Sequence, residues 1–162
     1  MKTMNFSGKG LTFLIRMEGK INTVYKDSAG LDTIGVGHLI TKPEKATGKI
    51  LIGDSLIDFI HGLTDNEVET LLKQDLARFE RTINTLVRTS LTQNQYDALV
   101  SFCFNVGQTA FTNSSLLKEL NKSNYSGIAN ELRKWKNSGG KPDPILIKRR
   151  ESEIELFNFA KY

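Results

Sequence analysis

The sequence predicts an α+β fold that is mainly helical, with its strands confined to the first third of the chain. Three observations predict it. Residues 22–40 carry short runs of β-forming residues, Val24 and Tyr25 and then Thr33, Ile34, Val36 and Leu39, on either side of the turn Ser28-Ala29-Gly30. Thr64-Asp65-Asn66-Glu67 is a capping box, and behind it Val68, Leu72, Leu76, Phe79, Ile83 and Leu86 recur every three or four residues. From Thr92 onward, shorter runs repeat that helical spacing.

Each element follows in order. Leu11, Leu14, Ile15 and Glu18 fall at i, i+3, i+4 and i+7, which predicts a helix over 9–19, capped by Ser7 or Gly8 and stopped by Gly19. The hairpin material of 22–40 comes next. Gly35 and Gly37 leave one face of its second strand bare, which lets a ligand or another backbone approach closely. Residues 41–63, punctuated by Pro43, Gly48, Gly53 and Gly62, predict a loop, a short strand at Ile50-Leu51-Ile52 and a short helix around the amphipathic Leu56-Ile57-Phe59-Ile60. The helix behind Thr64 should run some 23 residues, about 35 Å at 1.5 Å per residue. That length suits a spine between two lobes. The expectation is one domain over 1–162, with an N-terminal lobe over 1–63, a connecting helix over 64–87 and a helical lobe over 88–162. Thr92-Gln93-Asn94-Gln95 is a second capping box, opening an apolar helix with Tyr96, Leu99, Val100 and Cys103. Shorter helices are expected over 113–121 and 126–138, the latter ended by Gly139-Gly140. Pro142 and Pro144 mark a break before a final helix near 146–159.

Composition narrows the class. A chain of 162 residues with 39% hydrophobic and 25% charged residues can bury the core of one soluble globular protein. Its single cysteine, Cys103, excludes an intramolecular disulfide and lies in an apolar run, as a buried inert thiol does. The two histidines, His38 and His61, stand far apart and no Cys/His cluster has metal-ligand spacing, so no metal site is expected. A net charge of +4 attracts nucleic acid, anionic membrane or anionic cell wall alike. No arginine-rich run with interleaved aromatics is present, which disfavours nucleic acid. The segment 131–162 holds eight Lys/Arg against five Asp/Glu and ends in a helix read as amphipathic, which could lie on anionic lipid. The first residues do not read as a signal peptide. The apolar run Leu11 to Ile15 is too short to span a membrane, so the protein is expected to stay in the cytoplasm until something else releases it.

Two carboxyl groups stand out. Glu18 shares a helical face with Leu11, Leu14 and Ile15, and lost hydration there favours a neutral carboxyl. Asp27 lies between Lys26 and Ser28, just before Ala29-Gly30, where a lysine neighbour and a solvated turn favour the ionised form. Thr33 follows with a hydroxyl able to hold a water. An acid and a carboxylate in contrasting surroundings are what acid/base cleavage of a glycosidic bond requires. Spacing alone leaves the bland alternatives open: a solvated glutamate at a helix end, and an aspartate that merely makes a turn.

The whole segment is more specific. Glu18, eight residues, Asp27, five residues, Thr33, closed by Thr33-Ile34-Gly35-Val36-Gly37-His38, resembles the phage-type lysozymes, the T4-lysozyme-like endolysins, and among them the P22-type branch. The likeness continues through Leu91-Thr92-Gln93-Asn94-Gln95-Tyr96-Asp97-Ala98-Leu99, Phe102-Cys103-Phe104-Asn105-Val106-Gly107, Lys134-Trp135-Lys136 and Arg149-Arg150-Glu151-Ser152-Glu153-Ile154-Glu155-Leu156-Phe157. These blocks keep their order from about residue 8 to 158.

The resemblance implies a two-lobed lysozyme fold and an endolysin. Such an enzyme hydrolyses the β-1,4 bond between N-acetylmuramic acid and N-acetylglucosamine in peptidoglycan, with inversion, lysing the host and freeing phage. By matching positions it implies that Glu18 protonates the glycosidic oxygen, Asp27 binds the attacking water and stabilises positive charge on the sugar, and Thr33 helps place that water. It implies saccharide contacts at Leu39 and Phe104 and, on a weaker match, Ser114. It implies that Arg149 pairs with the catalytic glutamate and that His38 pairs with Asp75 in a structural link. No cofactor is implied, no nucleic acid, and a monomer that depends on a holin to reach the wall. Alternatives stay open for Phe104 as a core aromatic and for Leu39 as a residue without a saccharide contact, while Lys148 and Arg150 are read as a solvated basic helix face. Rival functions are a non-cutting wall-binding module, a membrane-active cationic protein and a lytic transglycosylase. The carboxylate of Asp27 speaks against the last, which needs none to activate water.

Overall fold

The computed structural model describes residues 3–162. The chain forms two compact units, one of Ile15–Ala77 and one of the residues up to Leu14 together with Arg78–Tyr162. One border falls inside helix α1 (Gly8–Glu18) and the other inside helix α3 (Asp65–Leu86). This grouping differs from the expected division at 63 and 87. Side chains of the second unit hold the first residues of the chain: Met4 N–H donates to Asn84 Oδ1 at 3.0 Å, Phe6 N–H to Glu80 Oε1 at 2.5 Å, and Ser7 N–H to Asp97 Oδ1 at 3.1 Å.

Helix α1 forms where the apolar spacing places it. Ser7 is the cap, its Oγ accepting from Gly10 N–H at 2.9 Å. Gly19 ends the helix at φ 79°, its N–H donating to Ile15 O at 2.8 Å. Three strands follow, β1 (Ile21–Lys26), β2 (Asp32–Gly35) and β3 (His38–Leu39), antiparallel in the order β1-β2-β3. Tyr25 lies opposite Thr33, Lys26 opposite Asp32, Thr33 opposite Leu39 and Ile34 opposite His38.

Residues 41–63 differ in part from expectation. Helix α2 (Lys42–Thr47) is held by a capping box, in which the Thr41 side chain accepts from Glu44 N–H and the Glu44 carboxylate accepts from Thr41 N–H, and Gly48 closes it at φ 68°. A hairpin of β4 (Lys49–Ile52) and β5 (Ser55–Asp58) follows. The helix expected around 56–60 is therefore corrected to a strand and the turn after it. A short apolar run satisfies both helical and strand periods. Pairing decides between them: Ile57 lies opposite Ile50 and Leu56 opposite Leu51, with Ile50 and Ile52 buried and Leu51 exposed between them. Helix α3 starts on its reciprocal cap, Thr64 N–H to Glu67 Oε2 at 2.7 Å and Glu67 N–H to Thr64 Oγ1 at 3.3 Å. It buries Val68, Leu72, Leu76, Phe79 and Ile83, the residues whose spacing predicts it.

In the other unit, α4 (Gln93–Val106) buries Tyr96, Leu99, Val100 and Cys103. The five residues of α5 (Gln108–Thr112) form a helix too short to leave a period in the sequence. Helix α6 (Ser115–Asn121), a 3-10 turn at Tyr125–Gly127 and helix α7 (Ile128–Arg133) come next. The helix expected over 126–138 thus stops early, and the expectation that strands are confined to the first third is corrected by a hairpin of β6 (Asn137–Ser138) and β7 (Lys141–Pro142). Gly139 and Gly140, both at positive φ (56° and 79°), make its two-residue turn. Helix α8 (Pro144–Phe159) begins earlier than predicted, because Pro144 occupies the first helical turn, where no N–H is missed, and Asp143 caps Ile145 N–H at 2.8 Å.

Two further readings of α8 are corrected. Arg150 is 1% exposed, not on a solvated face: its guanidinium lies 4.9 Å from the Phe102 ring centre and donates to Asn105 Oδ1 at 2.7 Å. Lys148 is exposed as expected. Nor is the helix amphipathic in the simple sense, since Ile145, Ile147 and Phe159 are exposed while Arg149, Arg150 and Glu153 are buried.

Candidate active site

The unit Ile15–Ala77 holds Glu18, Asp27, Thr33, Leu39, His38 and Asp75. Glu18 is half-buried in the last turn of α1, one turn beyond buried Leu11 and Leu14. Asp27 stands just past β1. Its Oδ1 accepts from Ala29 N–H at 2.9 Å and Leu31 N–H at 2.8 Å, and its own N–H donates to Leu31 O at 3.0 Å. The aspartate is thus a turn-former, as the bland alternative has it. The same two bonds fix its carboxylate plane, leaving the second oxygen a set direction.

The sequence reading gave Lys26 to Asp27. The structure corrects this: Lys26 Nζ lies 2.6 Å from Asp32 Oδ1, and Lys45 also pairs with Asp32. The reason is the strand period. Adjacent residues point to opposite faces, and Lys26 lies across the sheet from Asp32. Hydrogen bonds from Lys26 and Lys45 hold the Asp32 carboxyl down at about 2.

Thr33 is 2% exposed, with its Oγ1 donating to Leu31 O at 3.1 Å. It lies between Tyr25 of β1 and Leu39 of β3, so these three residues share one rung of the sheet. Leu39 is 50% exposed at that rung's outer end. Burial, then the charges of Glu18 and of Asp27, push the Tyr25 hydroxyl above its ordinary value, against a hydrogen bond from the backbone of Gly37.

His38 Nδ1 lies 2.8 Å from Asp75 Oδ2, and its Nε2 lies 3.4 Å from Glu44 Oε2. Burial works to lower the ring's pKa, but the bonds and charges of Asp75 and Glu44 prevail and the net direction is up. Glu44 also accepts from Thr41 N–H at 2.7 Å and Thr41 Oγ1 at 2.8 Å. The histidine thus links the Leu39 strand to both α2 and α3.

Phe104, Ser114 and Arg149 belong to the other unit. Phe104 is half-buried, its ring 5.2 Å from that of Phe79 in an edge-on arrangement. Ser114 is 4% exposed. Its Oγ caps α6, accepting from Leu117 N–H at 3.1 Å and donating to Phe111 O at 2.6 Å. Arg149 is 6% exposed, donating to Glu153 Oε1 at 3.1 Å and Ser101 O at 3.3 Å. Cys103 is buried, which pushes its thiol up to about 12. Among the described residues, no group of three or more His, Cys, Asp or Glu could hold a metal ion.

Sequence reasoning passed over Tyr25 and Glu44. The pairing that sets Tyr25 opposite Thr33 leaves no local signal in the sequence for the first. The Thr41-x-x-Glu44 capping box was the signal for the second.

Comparison with known proteins gives the same direction. The family model described as phage lysozyme matches residues 15–153. The endolysin of Salmonella phage P22 is 44% identical over 154 residues, covering 95% of this chain and 98% of that protein. The crystal structure of a mutant of P22 lysozyme superposes with a TM-score of 0.79 at 40% identity, over 95% of this chain and 98% of that one. The muramidase domain of SpmX from Asticaccaulis excentricus superposes with a TM-score of 0.77 at 31% identity, over 95% and 97%.

Proposed function

The chain belongs to the phage lysozyme family and is an endolysin-type muramidase, a glycoside hydrolase of peptidoglycan; from that premise we propose which residues cut the bond and how. Glu18 is the general acid that protonates the glycosidic oxygen between N-acetylmuramic acid and N-acetylglucosamine. Asp27, as carboxylate, takes the proton of the attacking water on the opposite face of the sugar and offsets the positive charge that develops there. Thr33 steadies that water. Leu39 and Phe104 contact the saccharide. Ser114 is assigned to capping α6 rather than to the ligand. Arg149 as the basic partner of Glu18 is carried over from the family pattern, and His38 with Asp75 braces the strand that bears Leu39.

One observation carries the reading. Asp27 stands just past the strand whose Tyr25 lies opposite Thr33, and its Oδ1 is oriented by two backbone amides. A carboxylate held in this way needs little reorganisation to bind a water. Peptidoglycan digested with the pure protein should yield reducing muramic acid ends by mass spectrometry, and folded Glu18→Gln should yield none. Anhydromuramic ends would make the enzyme a transglycosylase, and cleavage by Glu18→Gln at the parental rate would remove Glu18 as the acid.

Delivery is part of the proposal. No helix among the described residues is long and apolar enough to cross a membrane. We place the enzyme in the host cytoplasm as a monomer until a holin opens the inner membrane. Expression without a holin should leave cells intact until chloroform is added; prompt lysis without either would overturn this.

A further inference from the structure

The second half of α3 and the short α5 flank an open groove of about 460 Å³, to which the function proposed above gives no task. It lies within the unit that also bears Phe104. Arg78, Arg81 and Thr82 line it from α3, at the spacing of one helical face, and Gln108, Thr109 and Thr112 line it from α5. Gln108 ties the two helices together, its Nε2 donating to Thr82 Oγ1 at 2.7 Å and to Arg78 O at 3.3 Å. The groove is therefore built into the fold before any ligand arrives.

Its charge is one-sided. Two guanidinium groups line it and, among the described residues, no carboxylate does. Arg78 and Arg81 are exposed and stand one turn apart, and neither makes an ion pair among the described residues. Like charges at that spacing weaken a helix. The acid between them in sequence, Glu80, is engaged elsewhere, accepting from Phe6 N–H at 2.5 Å. The Arg78 guanidinium lies 4.8 Å from the Phe79 ring centre, and that ring stands edge-on to Phe104 at 5.2 Å. One phenylalanine thus separates the groove from the residue assigned to the saccharide.

A planar guanidinium fork matches a carboxylate, and hydroxyl and amide groups beside it suit a peptide backbone. The substrate carries such a ligand, the short acidic peptide attached to the lactyl group of N-acetylmuramic acid. A peptide extends by about 3.5 Å per residue, so one leaving a sugar at Phe104 passes the width of a phenylalanine within a few residues. We propose that the groove between α3 and α5 binds this acidic peptide, with Arg78 and Arg81 pairing with its carboxylates. The proposal rests on peptidoglycan as substrate and on Phe104 as a saccharide contact. The arginines touch no reacting atom. They hold the polymer, so they govern KM and leave kcat alone.

The test is Arg78→Gln/Arg81→Gln in the full chain, with kinetics on purified peptidoglycan and a thermal melt of the same preparation. A second double variant, Lys49→Gln/Lys118→Gln, loses the same charge at exposed positions outside the groove. The arginine variant should raise KM about fivefold at unchanged kcat, and the lysine variant should stay near the parent. Peptides released from the wall by an amidase, titrated into the ¹⁵N-labelled parent, should move the Nε–H signals of Arg78 and Arg81. A parental KM in the arginine variant would overturn the proposal. So would an equal rise in the lysine variant, which would reduce the effect to net charge, and so would arginine signals that stay still. If the arginine variant melts far below the parent, the titration alone decides. A parent that releases no fragments from peptidoglycan fells the assignment beneath; an active parent with still arginine signals fells only this inference.

Discussion

At the scale of single residues, Asp27 does two things with one side chain. Its Oδ1 closes a turn by accepting from Ala29 and Leu31, and the rest of the carboxylate is what the proposed chemistry uses. Asparagine can accept the same two bonds with its carbonyl oxygen. Asp27→Asn should therefore fold with a stability change of about 1 kcal/mol or less, yet lose most of its lysis of peptidoglycan. Turbidity clearing and a thermal melt on one sample separate the two effects, and parental clearing by a well-folded variant would take Asp27 out of the mechanism. His38 permits a pH prediction. Its folded pKa is raised above 6.5 by Asp75 and Glu44 against burial, so the stability it contributes is full below 6.5 and is lost as pH rises through the folded value. At the acid end Glu44 is lowered below 4.5 despite burial, by its bonds from Thr41 and the nearby His38. Its contribution is present above 4.5 and is lost as pH falls through the lowered value. The melting-temperature gap between parent and His38→Asn should be widest between pH 4.5 and 6.5 and should narrow as pH rises through the raised folded value. A gap that is flat with pH would mean that the ring acts by packing alone.

At the scale of elements, caps decide where the helices of this chain begin; Ser7 and the Thr64–Glu67 box were legible, whereas Asp143 and the Thr41–Glu44 box were passed over. Thr64 with Glu67, Asp143 before Pro144, and Ser7 before the first apolar face are short-range signals in which one side chain satisfies a backbone donor a few residues away. Ser114 is such a cap that the sequence reading assigned to the ligand. Ser114→Ala should lower stability by about 1 kcal/mol and leave KM on peptidoglycan unchanged, as measured by thermal unfolding and initial rates. A raised KM at unchanged stability would return Ser114 to the saccharide. The motif proposed as catalytic could be read as one segment because it lies within 16 positions, from Glu18 to Thr33, on elements joined by tight turns. What escaped was set by pairing at longer range. β5 reads equally as helix until β4 lies beside it, and β6–β7 is too short for any period to show. Lys26 could be given to Asp27 only while the strand register was unknown. Arg150 looked solvated because its partners, Asn105 on α4 and the buried Phe102 ring, lie more than 40 positions away.

At the scale of the whole molecule, charge is the property that meets the substrate first. The chain carries 22 Lys and Arg against 18 Asp and Glu, a net +4, and peptidoglycan bears carboxylates. Attraction of this kind raises the rate of encounter without contributing to the bond-breaking step. It also weakens once the screening length falls from about 10 Å at 0.1 M salt to about 3 Å at 1 M. The internal electrostatics should respond differently. The pairs of Glu153 with Arg149 and Arg150 are buried, and buried pairs are screened far less than exposed ones. The His38–Asp75 link is short and mostly shielded from solvent. Raising salt from 50 mM to several hundred millimolar should therefore lower kcat/KM through a higher apparent KM, while kcat and the melting temperature move little. Initial lysis rates over a range of wall concentrations, with melts in the same buffers, make the separation. A fall in kcat at constant KM would place the salt-sensitive step after binding. A parallel fall in melting temperature would trace it to the fold. A rate indifferent to salt would show that the net positive charge has no part in bringing the enzyme to the wall.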